Sequence, residues 1–311
     1  DFDQDGKIDL MASSYDYGDQ LRFFRNMGAE GFEEFTDKAN LKGISGGLNM
    51  VATDYNNDGY PDVLVLRGGW LGNGGRLPNS LLKNNGDGTF SDVTKSAGIL
   101  SFFPTQTAAW ADFNNDGWLD LFIGNESGQF STADNANQIA PQEVSNPCEL
   151  YINQKDGTFE NLAREWKVDF SGFIKGVVAA DFNNDGWQDL YVSALNQPNM
   201  LLMNQNGSSF EDKAVQARVL EPIESFPVVA ADFNNDGWQD LFVSGYELGE
   251  MQNTPAAYLQ DISNGPDRIS APRLYINDQK GGFDEGAKAL GLHHSIFGMG
   301  INVGDLNNDG F

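Results

Sequence analysis

Short apolar runs rich in β-branched and aromatic residues punctuate this chain: VVAAD and QTAAWAD lead into an acidic segment, and DLYVSAL, DLFIGN and DLFVSGY lead out of it. Runs of that length, bounded by Asn, Asp and Gly, predict strands rather than helices. A second unit follows each time, as QLRFFRNMGAEGFEEFTD, SLLKNNGDGTFSDVT, ELYINQKDGTFENLA, NMLLMNQNGSSFEDKA and RLYINDQKGGFDEGA. It reads as a hairpin around an Asn/Gly/Asp turn, with Phe32, Phe90, Phe159, Phe210 and Phe283 in the same place after the turn and expected to pack between neighbouring sheets. Helical periodicity is confined to short stretches such as DVTKSAGI and NLAREW. Each repeat is therefore predicted to be a strand, an acidic loop, a second strand and a hairpin. Four-stranded sheets cannot bury both faces alone and leave exposed edges, which radial stacking resolves, so the predicted fold class is all-β, a β-propeller of four-stranded antiparallel blades.

The acidic segment repeats almost word for word: DFDQDGKIDL from Asp1, DYNNDGYPDV from Asp54, DFNNDGWLDL from Asp112, DFNNDGWQDL from Asp181 and from Asp232, and DLNNDGF from Asp305. These starts lie 53, 58, 69, 51 and 73 residues apart, the length of a propeller blade or a solenoid coil. Carboxylates or amides at positions 1, 3, 5 and 9 present oxygens on alternate residues, as a hard cation requires. Calcium takes six to eight oxygens, whereas magnesium prefers a rigid octahedron that keeps several waters, so calcium is the expected ion. The expected donors are the side chains at 1, 3, 5 and 9 and the main-chain carbonyl at 7. They are Asp1, Asp3, Asp5, Lys7 and Asp9 in loop 1, Asp54, Asn56, Asp58, Tyr60 and Asp62 in loop 2, and Asp112, Asn114, Asp116, Trp118 and Asp120 in loop 3. Loop 4 offers Asp181, Asn183, Asp185, Trp187 and Asp189, and loop 5 offers Asp232, Asn234, Asp236, Trp238 and Asp240. Loop 6 contributes Asp305, Asn307 and Asp309, its ninth position lying beyond Phe311, so about five sites are expected. Glycine at position 6 is expected to reverse the chain at positive φ.

The opening matches an EF-hand loop, but position 12, which should be Glu, is Val65, Ile123, Val192 or Val243, and the flanks are strands. A lone D-x-N-x-D-G reads equally well as an ordinary turn; six copies at blade spacing do not.

Composition then sharpens the picture. Among 311 residues, 45 acids face 19 bases, a formal charge of −26 that repels nucleic acid and anionic lipid. Sixteen of those acids occupy ligand positions in the five complete loops, so five calcium ions would bring the charge to −16. Repulsion among these clustered acids predicts that ion binding is coupled to folding. No stretch is long and apolar enough for a membrane helix, so no membrane insertion is expected. The single cysteine, Cys148, has no partner for a disulfide and reads as a small buried hydrophobe. The chain opens at Asp1 and ends at Phe311 inside a motif, so a piece of a longer protein is expected.

These loops and hairpins together resemble the FG-GAP or VCBS repeats of integrin alpha-subunit propellers and of many secreted bacterial proteins. The pairing of NNGDGTFSDVTKSAGI with DFNNDGWLDLFIGN is most similar to the bacterial branch related to cartilage acidic protein. The resemblance covers the whole chain, read as one domain over 1–311 with repeats from about 1, 54, 112, 181, 232 and 305. It implies calcium in the acidic loops, a ring of seven blades of which this chain supplies five and part of a sixth, and ligands docking on the opposite face.

Connectivity assigns faces independently. In a meander of four strands, the first and third connections share one side, so the calcium loops line up with the hairpin turns. The long insertions, before Ser80, before Cys148 and before Arg273, fall on the other. Binding to a protein or glycan is expected there, with Trp70, Arg76, Phe130 and Tyr258 as contact residues, each of which also reads as a loop anchor. For catalysis the sequence offers little: His293 and His294 are adjacent in an inter-blade loop, and no G-x-S-x-G, HExxH or P-loop motif occurs. A calcium-binding adhesion module that is not an enzyme is the reading; the alternatives are a carbohydrate-active hydrolase or lyase and a structural subunit assembling with others. Several calcium sites of moderate affinity fill outside the cytosol, so an extracellular, cell-surface or periplasmic location is expected. Asn125 and Asn206 match the N-glycosylation pattern, as chance also provides.

Overall fold

A computed structural model describes residues 1–14, 16, 18–128, 145–246, 271–294 and 298–304. Its strands form five consecutive antiparallel sheets. The first has three strands, β1 (Leu10–Ala12), β2 (Arg22–Asn26) and β3 (Phe32–Glu34). Four-stranded sheets follow: β4 (Asn49–Thr53), β5 (Asp62–Leu66), β6 (Ser80–Asn84) and β7 (Phe90–Asp92), then β8 (Thr105–Ala111), β9 (Asp120–Asn125), β10 (Glu149–Asn153) and β11 (Phe159–Asn161). The fourth sheet holds β12 (Ile174–Ala180), β13 (Asp189–Ala194), β14 (Met200–Asn204) and β15 (Phe210–Asp212). The fifth holds β16 (Ser225–Ala231), β17 (Asp240–Gly245), β18 (Arg273–Asn277) and β19 (Phe283–Glu285). In every sheet the spatial order is the chain order, the meander of a propeller blade. The fold is all-β, built from antiparallel blades of the β-propeller kind; the one α-helix among the described residues is a single turn, Ala214–Ala217.

The apolar runs explain the layering. β5, β9 and β13 are buried along their whole length, so both faces of these strands meet protein, and Val, Leu, Ile and aromatic side chains serve both. By contact the chain divides into two compact units, Asp1–Trp110 with Gly117–Ala163, and Ala111–Asp116 with Arg164–Phe311. Within the first unit one cluster joins Phe23 and Leu82 with Phe90, and another joins Tyr55, Leu121 and Phe159. Within the second, Phe182, Tyr191, Leu241 and Phe283 form the core between the fourth and fifth sheets.

Four of the five turn-following phenylalanines sit between sheets as the pattern predicts: Phe90, Phe159, Phe210 and Phe283 are all buried. Phe90 meets Phe2 and Phe23 edge-on, and Phe283 meets Phe182. Phe32 departs from the expectation and is 52% exposed, because among the described residues no sheet precedes the first to cover it. Asn125 carries one of the two triplets that match the N-glycosylation pattern. Its side chain is fully buried and donates to Pro147 O and Glu149 Oε2, so it cannot serve as a glycan acceptor, whereas Asn206 is exposed.

Candidate metal centres

Loops 2 to 5 each bridge the first two strands of their sheet, and loop 1 leads into the first strand of its own; the ladder pins the ends, Thr53 pairing with Asp62, Ala180 with Asp189, and Ala231 with Asp240. Inside the loop the side chains curl the backbone around themselves. In loop 2, Asp58 N donates to both Asp54 Oδ1 (3.1 Å) and Asn56 Oδ1 (3.0 Å), Gly59 N to Asp54 Oδ2 (2.8 Å) and Tyr60 N to Asp58 Oδ1 (3.0 Å). Loops 1, 4 and 5 repeat the set with Asp5, Asp185 and Asp236. One amide thus gathers the oxygens of positions 1 and 3. The reversal uses left-handed backbone at position 4, φ 53° to 59°, and at the position-6 glycine, φ 83° to 89°. Glycine and, at position 4 of loops 2 to 5, asparagine tolerate those angles readily, whereas loop 1 has Gln4 there. In loop 3, Asp112, Asn114 and Asp116 make the same turn in the second unit, while Trp118 and Asp120 belong to the first.

Position 9 opens the second strand and is buried: Asp62, Asp120, Asp189 and Asp240 are all 0% exposed. One of its oxygens accepts from the position-2 amide, as from Phe2 to Asp9 (2.8 Å) and Phe182 to Asp189 (3.0 Å). The other accepts the main-chain N–H of the asparagine that ends the next strand of the sheet: Asn26, Asn84, Asn153, Asn204 or Asn277, at 2.7 to 2.9 Å. A carboxylate has about four acceptor sites, so both oxygens still have lone pairs for an ion. Burial, with the nearby Asp58 and Asp54 charges, pushes Asp62 up to about 7. Burial likewise pushes Asp189 up to about 7 and raises Asp240. A buried carboxylate behind a bend of further acids is a place where a divalent cation relieves both desolvation and repulsion, and in loop 1 ligand oxygens of Asp1, Asp3 and Asp9 lie within 4.8 Å of one another. The residues fit a hard cation.

Loop 1 differs in its surroundings. Arg25 Nε lies 2.5 Å from Asp3 Oδ2 without an aligned N–H, and Lys7 Nζ lies 2.6 Å from Asp5 Oδ2, holding that carboxyl below its usual range. Loop 6, with Asp305, Asn307 and Asp309, lies outside the described residues.

On the insertion side, Trp70 has positive φ, and its amide donates to Glu126 Oε2 (2.7 Å). Arg76 is exposed and donates to Asn146 Oδ1 (3.0 Å). Both therefore help hold their loop in place. Phe130 and Tyr258 lie outside the described residues. The His293 and His294 rings lie 4.5 Å apart, tilted by 30°, and Cys148 is buried, which pushes its thiol up to about 12.

A family model described as FG-GAP-like repeat matches residues 1–65, 70–123, 130–192 and 181–243, each match spanning one acidic loop or two. The chain belongs to the FG-GAP-like repeat family. It is 29% identical over 243 residues to Cartilage acidic protein 1 of Xenopus tropicalis, covering 73% of this chain and 34% of that one. It is 28% identical over 230 residues to the Homo sapiens protein of the same name, covering 68% of this chain and 30% of that one. The chain thus spans about a third of the length of the curated relatives it matches. Among solved structures, the V. cholerae biofilm matrix protein Bap1 is similar over 91% of this chain and 37% of that one, at 13% identity and a TM-score of 0.43.

Two residue types outside the ligand positions knit these FG-GAP-like repeats together. The first is the strand-end asparagine. Besides its amide, its side chain donates to the position-2 carbonyl of the preceding loop, Asn84 to Phe2 (2.8 Å), Asn153 to Tyr55 (2.9 Å), Asn204 to Phe113 (2.8 Å) and Asn277 to Phe182 (2.8 Å). The second is position 4: Gln4, Asn57, Asn115 and Asn184 donate to the position-6 carbonyl of the next loop, Gly59, Gly117, Gly186 and Gly237, at 2.6 to 3.1 Å. A signal for the first was available, since each asparagine stands six residues before its turn-following phenylalanine, as Asn84 before Phe90 and Asn277 before Phe283.

Proposed function

We propose that this FG-GAP-like repeat chain is a calcium-stabilised extracellular binding module, with ions in the acidic loops and a protein or glycan engaged by the insertion loops on the opposite side. The observation that carries it is the buried ninth-position carboxylate, which in loops 2 and 4 faces a bend of further acids. In loops 1, 2, 4 and 5 all five donor positions belong to one unit. Calcium at millimolar concentration outside cells would fill such sites, and submicromolar cytosolic calcium would not. An acidic relative named for cartilage fits that location. With the loops held as a fixed base, Trp70, Arg76 and the longer insertions can vary without disturbing the sheets, which favours recognition over chemistry as the role of that side.

Calorimetric titration of the chelated chain tests the first half: several calcium ions should be taken up per chain, and Asp189→Asn should remove one. No uptake would overturn it. Surface binding to a panel of matrix proteins and glycans, with Trp70→Ala and Arg76→Ala as variants, tests the second. A partner whose affinity is indifferent to both substitutions and to deletion of 129–144 would count against that side.

A further inference from the structure

The acidic loops look alike in sequence, yet their surroundings are not. One residue before the strand-end asparagine stands Arg25 in the first sheet, Lys83 in the second, Met203 in the fourth and Ile276 in the fifth. Arg25 reaches two loop carboxylates, with Nε 2.5 Å from Asp3 and a terminal nitrogen 3.7 Å from Asp5. Lys7, standing where the other loops have Tyr60, Trp118, Trp187 and Trp238, adds a second cation at Asp5. Lys83 Nζ is 3.6 Å from Asp58 in loop 2. In loops 4 and 5 the contacts to the fifth position come from neutral groups, Asn183 to Asp185 at 2.9 Å, and Asn234 and Gln279 to Asp236 at 3.0 and 3.1 Å. Among the described residues no lysine or arginine pairs with Asp181, Asp185, Asp232 or Asp236.

Charge decides which loop holds an ion more tightly. Loop 1 has a fourth acid, Asp3 where the others have Asn, but its two bases leave the site at −2. Loop 2, with three acids and Lys83, is also left at −2, whereas loops 4 and 5 keep −3. An entering divalent ion also meets the positive charges directly: the guanidinium sits on Asp3, one of the oxygens the ion must use.

Resting on the reading of these loops as calcium sites, we infer that the sites are graded: the first loop carries its own cations, Arg25 and Lys7, and binds calcium weakly, while the fourth and fifth are the tight sites. Arg25 works as an internal substitute for the ion. Without calcium it holds the bend together, and calcium must displace it. The displaced side chain has somewhere to go, because it lines a cavity of about 280 Å³ with Phe2, Phe23 and Phe35, and its guanidinium already lies 5.7 Å from the Phe35 ring. The fourth and fifth sheets are therefore ion-dependent, and the first keeps its loop formed as calcium falls.

The test uses the full 311-residue chain, stripped of ions and titrated with calcium against a competing chelator dye, and in parallel with terbium excited through tryptophan. Trp118, Trp187 and Trp238 sit at position 7 of loops 3, 4 and 5, whereas loop 1 has Lys7, so terbium emission reports those loops, the tight fourth and fifth among them, and not the first. Two affinity classes are expected, with emission saturating before uptake is complete. Arg25→Gln should tighten the weak class by about tenfold and leave the terbium curve unmoved, the effect expected from removing a charge beside a divalent ion in a half-exposed site. Lys7→Gln, on a side chain 42% exposed and therefore safe for folding, should tighten it in the same sense. A single affinity class, or a weak class that neither substitution moves, overturns the grading while leaving calcium binding standing. Absence of any uptake overturns the calcium reading itself.

Discussion

Replacing Asn204 by Ala measures what the strand-end asparagine contributes. The side chain is 4% exposed and makes three hydrogen bonds within one unit, donating to Phe113 O (2.8 Å) and Gln188 O (3.0 Å) and accepting from Gly207 N (2.7 Å). The main-chain N–H to Asp189 survives the substitution, so the loop keeps its ninth-position contact. Each lost bond is worth about 1 kcal/mol net, and stranding a half-buried carbonyl adds to that, so the loss should be about 3 kcal/mol. For a unit of roughly 150 residues this lowers Tm by about 6 to 12 °C. Urea denaturation and calorimetry in saturating calcium are the assays, with the exposed Ser208→Ala as control. The m-value and the calcium stoichiometry should not change. Asn204→Asp retains the shape and the acceptor but sets a charge against two carbonyls, so it should cost at least as much. A loss below about 1 kcal/mol for Asn204→Ala, or an unaffected Asn204→Asp, would refute the view that this residue ties its sheet to the preceding acidic loop.

Phe283 is 3% exposed and meets Phe182 at 6.1 Å, so Phe283→Ala should cost about 3 to 5 kcal/mol in the same assay through the cavity it leaves. Gly68 has φ 87°, and a Cβ there would lie 1.9 Å from Gly75 O; Gly68→Ala should therefore distort the 66–79 insertion, seen as faster proteolysis in that loop with the sheets still protected in hydrogen exchange. Because Asp62 and Asp189 titrate near 7 when folded but near 3.9 when unfolded, the ion-free fold binds more protons than the unfolded chain between those values. Its stability therefore falls as pH rises from about 4 to 7, and the difference from Asp189→Asn should show it. Added calcium should stabilise the chain more at pH 8 than at pH 5, since protons compete for the same oxygens; an increment larger at pH 5 would contradict this.

The repeat, the strands and the loop's internal turn were legible in the chain because their physics is local. Asp54 and Gly59, or Asp58 and Tyr60, are close enough in sequence that side-chain chemistry alone dictates the bend, and φ above zero calls for Gly and Asn. The alternation of buried runs with Asn/Gly turns dictated the meander in the same way, and with it the side on which the loops stand. What only the tertiary structure decided are the choices that depend on a neighbour far along the chain. Asn153 reaches a carbonyl 98 residues away, Asn57 one 60 residues away, and Asn125 is buried by packing that its glycosylation-like motif does not reveal. Phe32 stands exposed although its repeat-mates are buried, and Arg25 lies against Asp3, because which surface faces a residue is settled by how whole sheets stack and not by the few residues beside it.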